Sequence, residues 1–265
     1  MLRGNKEEVG TEGNIDEPCT KFLLEYPATV EDCFTASAAN KLISALKVSQ
    51  ARGAYDLVPD QDHAPKLLGV DVAAGGADRT TLIDRQGRKA GGRVFKKMPK
   101  APPRDVVPVI LQAHNEHRFD RIYVDTTGGY GITVCDMLED TPGLRGVVVP
   151  VNYSGKPLDE RYLNKRAEMY CAMRDWFDLG PVACPDNDEF VSHVLAPLDV
   201  VDTNSRQKIE DKLTIRKREG FSPDWADALC QTFFEPVPPV HRVDYAAMLA
   251  EQTGAAVTRF GARSW

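Results

Sequence analysis

Apolar and polar positions in the middle of this chain follow two periods. Runs at 67–72, 79–84 and 92–97 are rich in Leu, Val, Ile, Thr and Phe and are separated by Gly-rich turns, which predicts three short strands. From Pro103 to His117 the period becomes helical, with Val106, Val109, Ile110 and Ala113 at core spacing. A strand at 121–125, a helix at 130–139, a strand at 146–151 and a long helix at 158–177 follow. A short helix is expected at 186–195, then a hairpin over 198–215 that turns at Asp202-Thr203-Asn204-Ser205. The final helix is expected to start at Ser222, with Pro223 in its first helical position and Asp224 in its first turn. Three strands followed by alternating helices and strands predict an α/β fold, a mixed central sheet with helices on both faces.

The flanks read differently. Residues 1–20 are polar and rich in Gly and Glu. Residues 21–58 suggest a small N-terminal helical appendage, with Thr29 as an N-cap and Leu42, Ile43 and Leu46 on one face of a helix over 40–52. Residues 56–65 read as a linker. The expected division is therefore 1–65 for appendage and linker, 66–235 for the main domain, and 236–265 for a tail opened by Pro236-Val237-Pro238-Pro239.

Composition narrows the class. The chain has 265 residues, 42% hydrophobic and 27% charged, within the range of ordinary globular proteins. No apolar run approaches the ~20 residues that span a bilayer, and the first residues lack the apolar segment of a signal peptide. Six cysteines are scattered with no C-x-x-C pair, so reduced thiols in a cytosolic protein are expected. The net charge of −6 argues against a polyanionic partner until its distribution is considered. Residues 1–65 hold 6 basic and 11 acidic side chains, and the remainder is nearly balanced at 27 and 28. Residues 85–104 carry eight basic groups and no acid; residues 206–218 carry six basic groups against two acids. Such patches suit a phosphate backbone or a solvated face.

Three acidic segments carry the candidate chemistry. Two strand-like runs end on Asp71 and Asp125, and the last helix carries Asp224 and Asp227 three residues apart, on one face. A sheet fixes a carboxylate at a strand end yet lets it project from the rim. Carboxylates gathered at one point repel unless a cation joins them, and oxygen-only donors suit Mg²⁺ or Mn²⁺. Two such ions about 3.5–4 Å apart are a common device for phosphodiester cleavage. Small residues after Asp71 and the Thr126-Thr127-Gly128-Gly129 loop after Asp125 leave room for a bulky polyanion. His114 and His117 are three apart without an evident third ligand, which favours packing, and Trp225 reads as core.

The stretches Gly69-Val70-Asp71-Val72-Ala73 with Asp78-Arg79-Thr80, then Val124-Asp125-Thr126-Thr127-Gly128-Gly129-Tyr130-Gly131, then Gly220-Phe221-Ser222-Pro223-Asp224-Trp225-Ala226-Asp227 resemble the nuclease domain of the large terminase subunit of tailed bacteriophages. Glu25 to Phe34 and Tyr162 to Met169 add to the resemblance, which spans roughly residues 20–235. It implies an RNase H-like fold and an endonuclease that cuts concatemeric double-stranded DNA during packaging. It implies Asp71, Asp125 and Asp227 as catalytic carboxylates, and these three with Asp224 as ligands of two Mg²⁺ or Mn²⁺ ions. It further implies a motor ATPase domain, a small terminase subunit and a portal as partners, in the cytoplasm of an infected bacterium. Lys156, Arg161, Lys165, Arg166, Arg206, Lys208, Lys212 and Arg216 are the expected contacts to the DNA backbone. No G-x-x-x-x-G-K-[ST] phosphate loop occurs, so the chain itself is not expected to be the motor. Other readings stand beside this one. A sugar kinase or actin-like domain would bind ATP, a junction resolvase or transposase core would prefer other DNA, and a docking module would bind DNA without cutting it.

Overall fold

A computed structural model describes residues 41–73, 79–99 and 101–239. The appendage reading around Thr29, the terminal tail beyond 239, Lys100, Cys19 and Cys33 lie outside the described residues.

Five strands form the central sheet: β1 (Lys66–Asp71), β2 (Arg79–Gln86), β3 (Lys89–Pro99), β4 (Arg121–Asp125) and β5 (Val148–Val151), in the order β3-β2-β1-β4-β5. The β1–β2 and β2–β3 pairs are antiparallel; β1–β4 and β4–β5 are parallel. The helices are α1 (Ala45–Ala51), α2 (Pro103–His117), α3 (Tyr130–Glu139), α4 (Lys165–Asp178), α5 (Asp188–Leu195), α6 (Lys212–Glu219) and α7 (Asp224–Gln231). A small hairpin, β6 (Asp199–Val201) with β7 (Gln207–Ile209), stands apart from the sheet. The expected mixed α/β sheet is what forms.

The period-2 alternation separates two cores. Leu68, Val70, Leu82, Ile122, Val124 and Val148 face α2 and α3, meeting Val106, Ile110, Val134 and Leu138. Leu67, Ile83, Tyr123 and Val151 face the other side and share a core with Tyr170 and Phe177 of α4, Phe190 of α5, and Leu229 of α7. By the same alternation Asp71 and Asp125 belong to the second face, where α7 lies. Residues 42–51 are continuous with this core. Val48 and Ala51 are buried in it, and backbone bridges tie Lys41 to Leu198 and Arg52 to Cys184. The segment read as an appendage therefore contributes packing to the main domain.

Local signals explain the remaining boundaries. The long helix begins at Lys165, not 158, because Asn164 caps it by accepting from the Ala167 N–H at 3.0 Å. The loop before it is held by Glu168, whose carboxylate accepts from the N–H groups of Leu158 and Asp159 at 2.9 and 3.0 Å. The hairpin is shorter than the expected 198–215. Asp202 accepts from the Asn204 and Arg206 N–H groups at 2.9 and 2.7 Å and makes the expected turn. Asp211 then caps a helix that the sequence reading missed, accepting from Thr214 N–H at 2.9 Å. Gly220, in the left-handed region at φ 81°, ends it.

One glycine sets the distance on which the site depends. A Cβ on Gly69 would lie 1.9 Å from the carbonyl oxygen of Ala228, so only glycine lets α7 press against the middle of β1. Gly69→Ala is expected to destabilise the protein by about 3 kcal/mol, as overpacking against backbone does. It is also expected to lower activity at temperatures where the fold persists; calorimetry beside a nuclease assay checks both effects.

Candidate active site

The parallel register pairs Val70 with Val124, so Asp71 and Asp125 come one residue later at the same end of neighbouring strands. The close approach of α7 brings Asp224 and Asp227 against them. The Asp224 carbonyl accepts from the Thr81 hydroxyl at 2.9 Å, which ties the first turn of α7 to β2. All four carboxylates are at least nine-tenths buried, and Asp227 is completely so. Asp71, Asp125 and Asp227 line one open cavity of about 390 Å³ together with Arg166, Lys208 and Lys212.

Lys212 stands at the centre. Its Nζ lies 3.2 Å from Asp71 Oδ2, 3.5 Å from Asp224 Oδ1 and 3.1 Å from Asp227 Oδ2. Burial opposes its charge, but Asp71, Asp227 and Asp224 outweigh that and raise its pKa well above the usual lysine value. Asp227 is further held by Tyr170, whose hydroxyl donates to Oδ1 at 2.7 Å, and by Arg166 at 3.5 Å. Burial opposes ionisation of Asp227, yet Lys212 and Arg166 prevail and hold it below the usual carboxylate value. Asp71 goes the other way: burial raises it and outweighs the opposing pull of Lys212, and Asp227, Asp125 and Asp224 add to the rise. Burial also raises Asp125, although the Thr127 N–H donates to its Oδ1 at 2.8 Å.

The basic residues divide. Arg166 and Lys208 face the cavity, and Lys156 and Arg161 are exposed nearby, Arg161 paired with Asp159 at 2.7 Å. Arg206 is engaged by Asp202 at 2.8 Å, and Arg216 is exposed on α6. Two residues differ from expectation. Lys212 points into the acids and not toward a phosphate, because α6 begins there. Lys165 is only 5% exposed; its ammonium meets Glu168 at 2.5 Å and the Phe234 ring at 4.8 Å, because its side chain leaves α4 on the face away from the cavity. The basic 85–104 segment is largely engaged within the fold. Arg85 donates to Thr232 and covers Phe233, Arg88 donates to the Gly180 carbonyl, Lys89 pairs with Asp60, and Lys97 pairs with Glu189.

Sequence reasoning missed Tyr170 and Tyr153. Tyr170 lies four residues after Arg166 and so shares its helix face, a signal that was available. Tyr153 donates from its hydroxyl to the Asp227 carbonyl at 2.9 Å and accepts from Gln231 at 3.1 Å; no local pattern announces that contact. Trp225 is buried and stacks on Phe95 with ring centroids 3.9 Å apart, His114 and His117 pack by Phe119, and Cys135, Cys171, Cys184 and Cys230 are free thiols.

The donor set fits a hard divalent cation in kind, since it consists of carboxylates converging on a point already held by one positive charge. Among the described residues, no three His, Cys, Asp or Glu side chains are placed to grip an ion as they stand. Three of the acids are instead drawn around Lys212. Among the described residues, no helix is long and apolar enough to cross a membrane.

The sheet order and the helices on both faces define a mixed α/β fold, with the acids of β1, β4 and α7 at one end of its sheet. Comparison with solved structures gives the particular form, that of large terminase nuclease domains. The nuclease domain of the large terminase subunit gp2 of bacterial virus Sf6 superposes with a TM-score of 0.64 at 16% identity, over 74% of this chain and 99% of that one. The large terminase nuclease from thermophilic phage G20c gives 0.52 at 12% identity, over 75% and 100%. A variant of the Sf6 domain solved with manganese gives 0.58 at 16% identity, over 74% and 99%. No protein-family model and no curated protein matches the chain.

Burial makes His193, on the flank of the site, a test of the packing. Its Nδ1 accepts from the Trp225 N–H at 3.2 Å, and burial holds its pKa down to about 4 against an ordinary 6.5. A histidine kept neutral in the fold but protonated when unfolded costs stability as pH falls through that window. Stability is therefore expected to fall by up to about 3 kcal/mol between pH 6.5 and 4 on this account. His193→Gln should flatten that part of the curve in denaturant titrations.

Proposed function

We propose that this protein is a metal-dependent endonuclease that cuts concatemeric double-stranded viral DNA during genome packaging. The convergence of four buried carboxylates, three of them around Lys212, on a fold shared with large terminase nucleases, carries this reading. Asp71, Asp125, Asp224 and Asp227 would hold two Mg²⁺ or Mn²⁺ ions. Bound there, the ions would supply the charge that activates water and stabilises the leaving 3′ oxygen. The protein's own part is positioning. Gly69 and Thr81 fix α7 against the strands, Tyr170 and Arg166 hold Asp227 ionised and oriented, and Arg166 and Lys208 offer positive charge to the strand at the cavity mouth.

The motor ATPase, small terminase subunit and portal are the proposed partners, and the cytoplasm of an infected bacterium the proposed place of action. Lys156, Arg161, Arg206 and Arg216 remain proposed backbone contacts. Little sequence selectivity is expected, since the basic groups of the cleft suit phosphates and no base-reading element is evident among the described residues. Plasmid digestion with Mg²⁺, Mn²⁺ or EDTA tests the reading. Nicking and linearisation with either metal, abolished by EDTA, are expected. Undiminished cutting in EDTA would overturn the metal-dependent mechanism. DNA binding without cutting in either metal would favour the docking-module reading.

A further inference from the structure

A smaller cavity of about 230 Å³ adjoins the main one at the opening turn of α7. Arg79 lines both cavities. Asp224 also lines the smaller one, and its carboxylate reaches Lys212 in the larger at 3.5 Å. The wall carries three cationic side chains, Arg79, Lys97 and Arg216, each from a different element, with His193, Ser222 and Glu189 between them. The volume is that of several waters, room for one phosphate group.

Four features set this recess apart from a solvated cleft. Ser222 is only 9% exposed, and its hydroxyl has no hydrogen-bond partner among the described residues. A buried hydroxyl in that state is uncommon unless a ligand or water meets it. His193 uses Nδ1 as an acceptor for Trp225, which leaves its proton on Nε2 as a neutral donor in the same wall. Glu189 and Asp224 oppose an anion, but the Glu189 carboxylate is committed to Lys97 and to the Trp225 indole N–H at 3.3 Å, and Asp224 faces Lys212 at 3.5 Å. Arg79 sits 3.8 Å from Glu189 with its side chain 51% exposed, a loose pairing from which a guanidinium can turn toward a phosphate.

We infer that this cavity is a second DNA-backbone site, which binds the phosphate next to the one over the four carboxylates. The inference rests on the nuclease reading for the identity of the polyanion. A strand carries one phosphate per ~3.4 Å of duplex axis, so a chain laid across the carboxylates presents its next phosphates to whatever adjoins them. The strand then runs from Lys208 and Arg166 across the acids to Arg79, Arg216 and Ser222. That gives the cleft a direction, with Arg79 as the positioning residue at the joint.

The test measures affinity for a labelled ~20-base-pair duplex against salt, in EDTA so that cutting is absent. Arg79→Ala/Arg216→Ala is expected to weaken binding about tenfold at low salt and to lower the salt slope by about one, the effect of one phosphate losing its partners. Ser222→Ala is expected to weaken binding about threefold with the slope unchanged, since it removes a neutral bond. Arg216→Ala alone, at an exposed position, gives the same direction if the double variant melts early. A wild-type slope in the double variant and in Arg216→Ala overturns the inference, as does a wild type that binds no DNA. The parallel plasmid assay separates the two readings. Reduced slopes without any metal-dependent cutting would leave the phosphate site standing and the nuclease reading fallen. Normal cutting with unchanged slopes would mean the reverse.

Discussion

Asp71→Asn, Asp125→Asn and Asp227→Asn are each expected to reduce metal-dependent DNA cleavage about 10³-fold or more. Each removes a negative oxygen from a site that must hold two divalent ions, and losing that placement costs about 4 kcal/mol of transition-state stabilisation. Full activity in any of the three would show that the wrong carboxylates have been assigned. Asp224→Asn should cost less, because Asp224 lies in the first turn of α7 and meets Lys212 at the longest of the three distances, 3.5 Å. The same variants separate in stability when metal is chelated. Relief of repulsion in a crowded acidic site predicts that all three hold or gain stability, but the geometry divides them. Burial keeps Asp71 above its ordinary pKa, so an isosteric amide there should leave the melting temperature unchanged or raise it. Asp227 is held below its ordinary pKa by Lys212 and Arg166, so its charge favours the fold. Asp227→Asn strands a guanidinium that is 12% exposed beside a fully buried partner, and about 3 kcal/mol should be lost. Equal melting temperatures for Asp71→Asn and Asp227→Asn in EDTA would contradict this division.

Lys212→Ala is expected to invert the dependence of the fold on metal. The ammonium occupies the point at which Asp71, Asp224 and Asp227 converge, so it does electrostatically what a divalent ion would do there, with one charge in place of two. Without it the metal-free protein holds its acids uncompensated. Its side chain is 37% exposed, so the cost falls below that of breaking a fully buried pair, at about 1–2 kcal/mol. Divalent ions should then bind more tightly, because no resident cation has to be displaced, and their binding should restore the melting temperature through linkage. Calorimetric titration with Mn²⁺ and thermal melts with and without EDTA read both effects. A variant with wild-type metal affinity and an unchanged metal-free melt would show that Lys212 is incidental to the site.

Much of this arrangement was written locally. The apolar runs Leu67-Leu68-Gly69-Val70-Asp71 and Arg121-Ile122-Tyr123-Val124-Asp125 state both that these are strands and that each ends on an acid. A period of two is a property of the extended backbone and needs no partner. Helices α2 and α3 fall where their periodicity places them, at Pro103–His117 and Tyr130–Glu139. Caps and turns at Asn164, Asp202 and Asp211 are also local, since each side chain binds a backbone group within four residues of itself.

Charge partners were not legible in this way. Lys212 and Asp71 are 141 residues apart, and Tyr170 and Asp227 are 57 apart. Lys165 and Arg166 are neighbours of like charge, yet one closes against Glu168 under Phe234 and the other faces the acids, because α4 lies with its axis between the two. The 85–104 segment looked like a face for phosphates, but the packing of β2 and β3 against α4, α5 and the end of α7 consumed most of its cations. Sequence by itself determined the strands of the central sheet and most of the helices, because backbone geometry and hydrogen bonding act over a few residues. Only the tertiary structure decided which cation meets which acid: long flexible side chains reach whatever the packed elements bring within a few ångströms, and the contact of Gly69 with Ala228 sets that distance here.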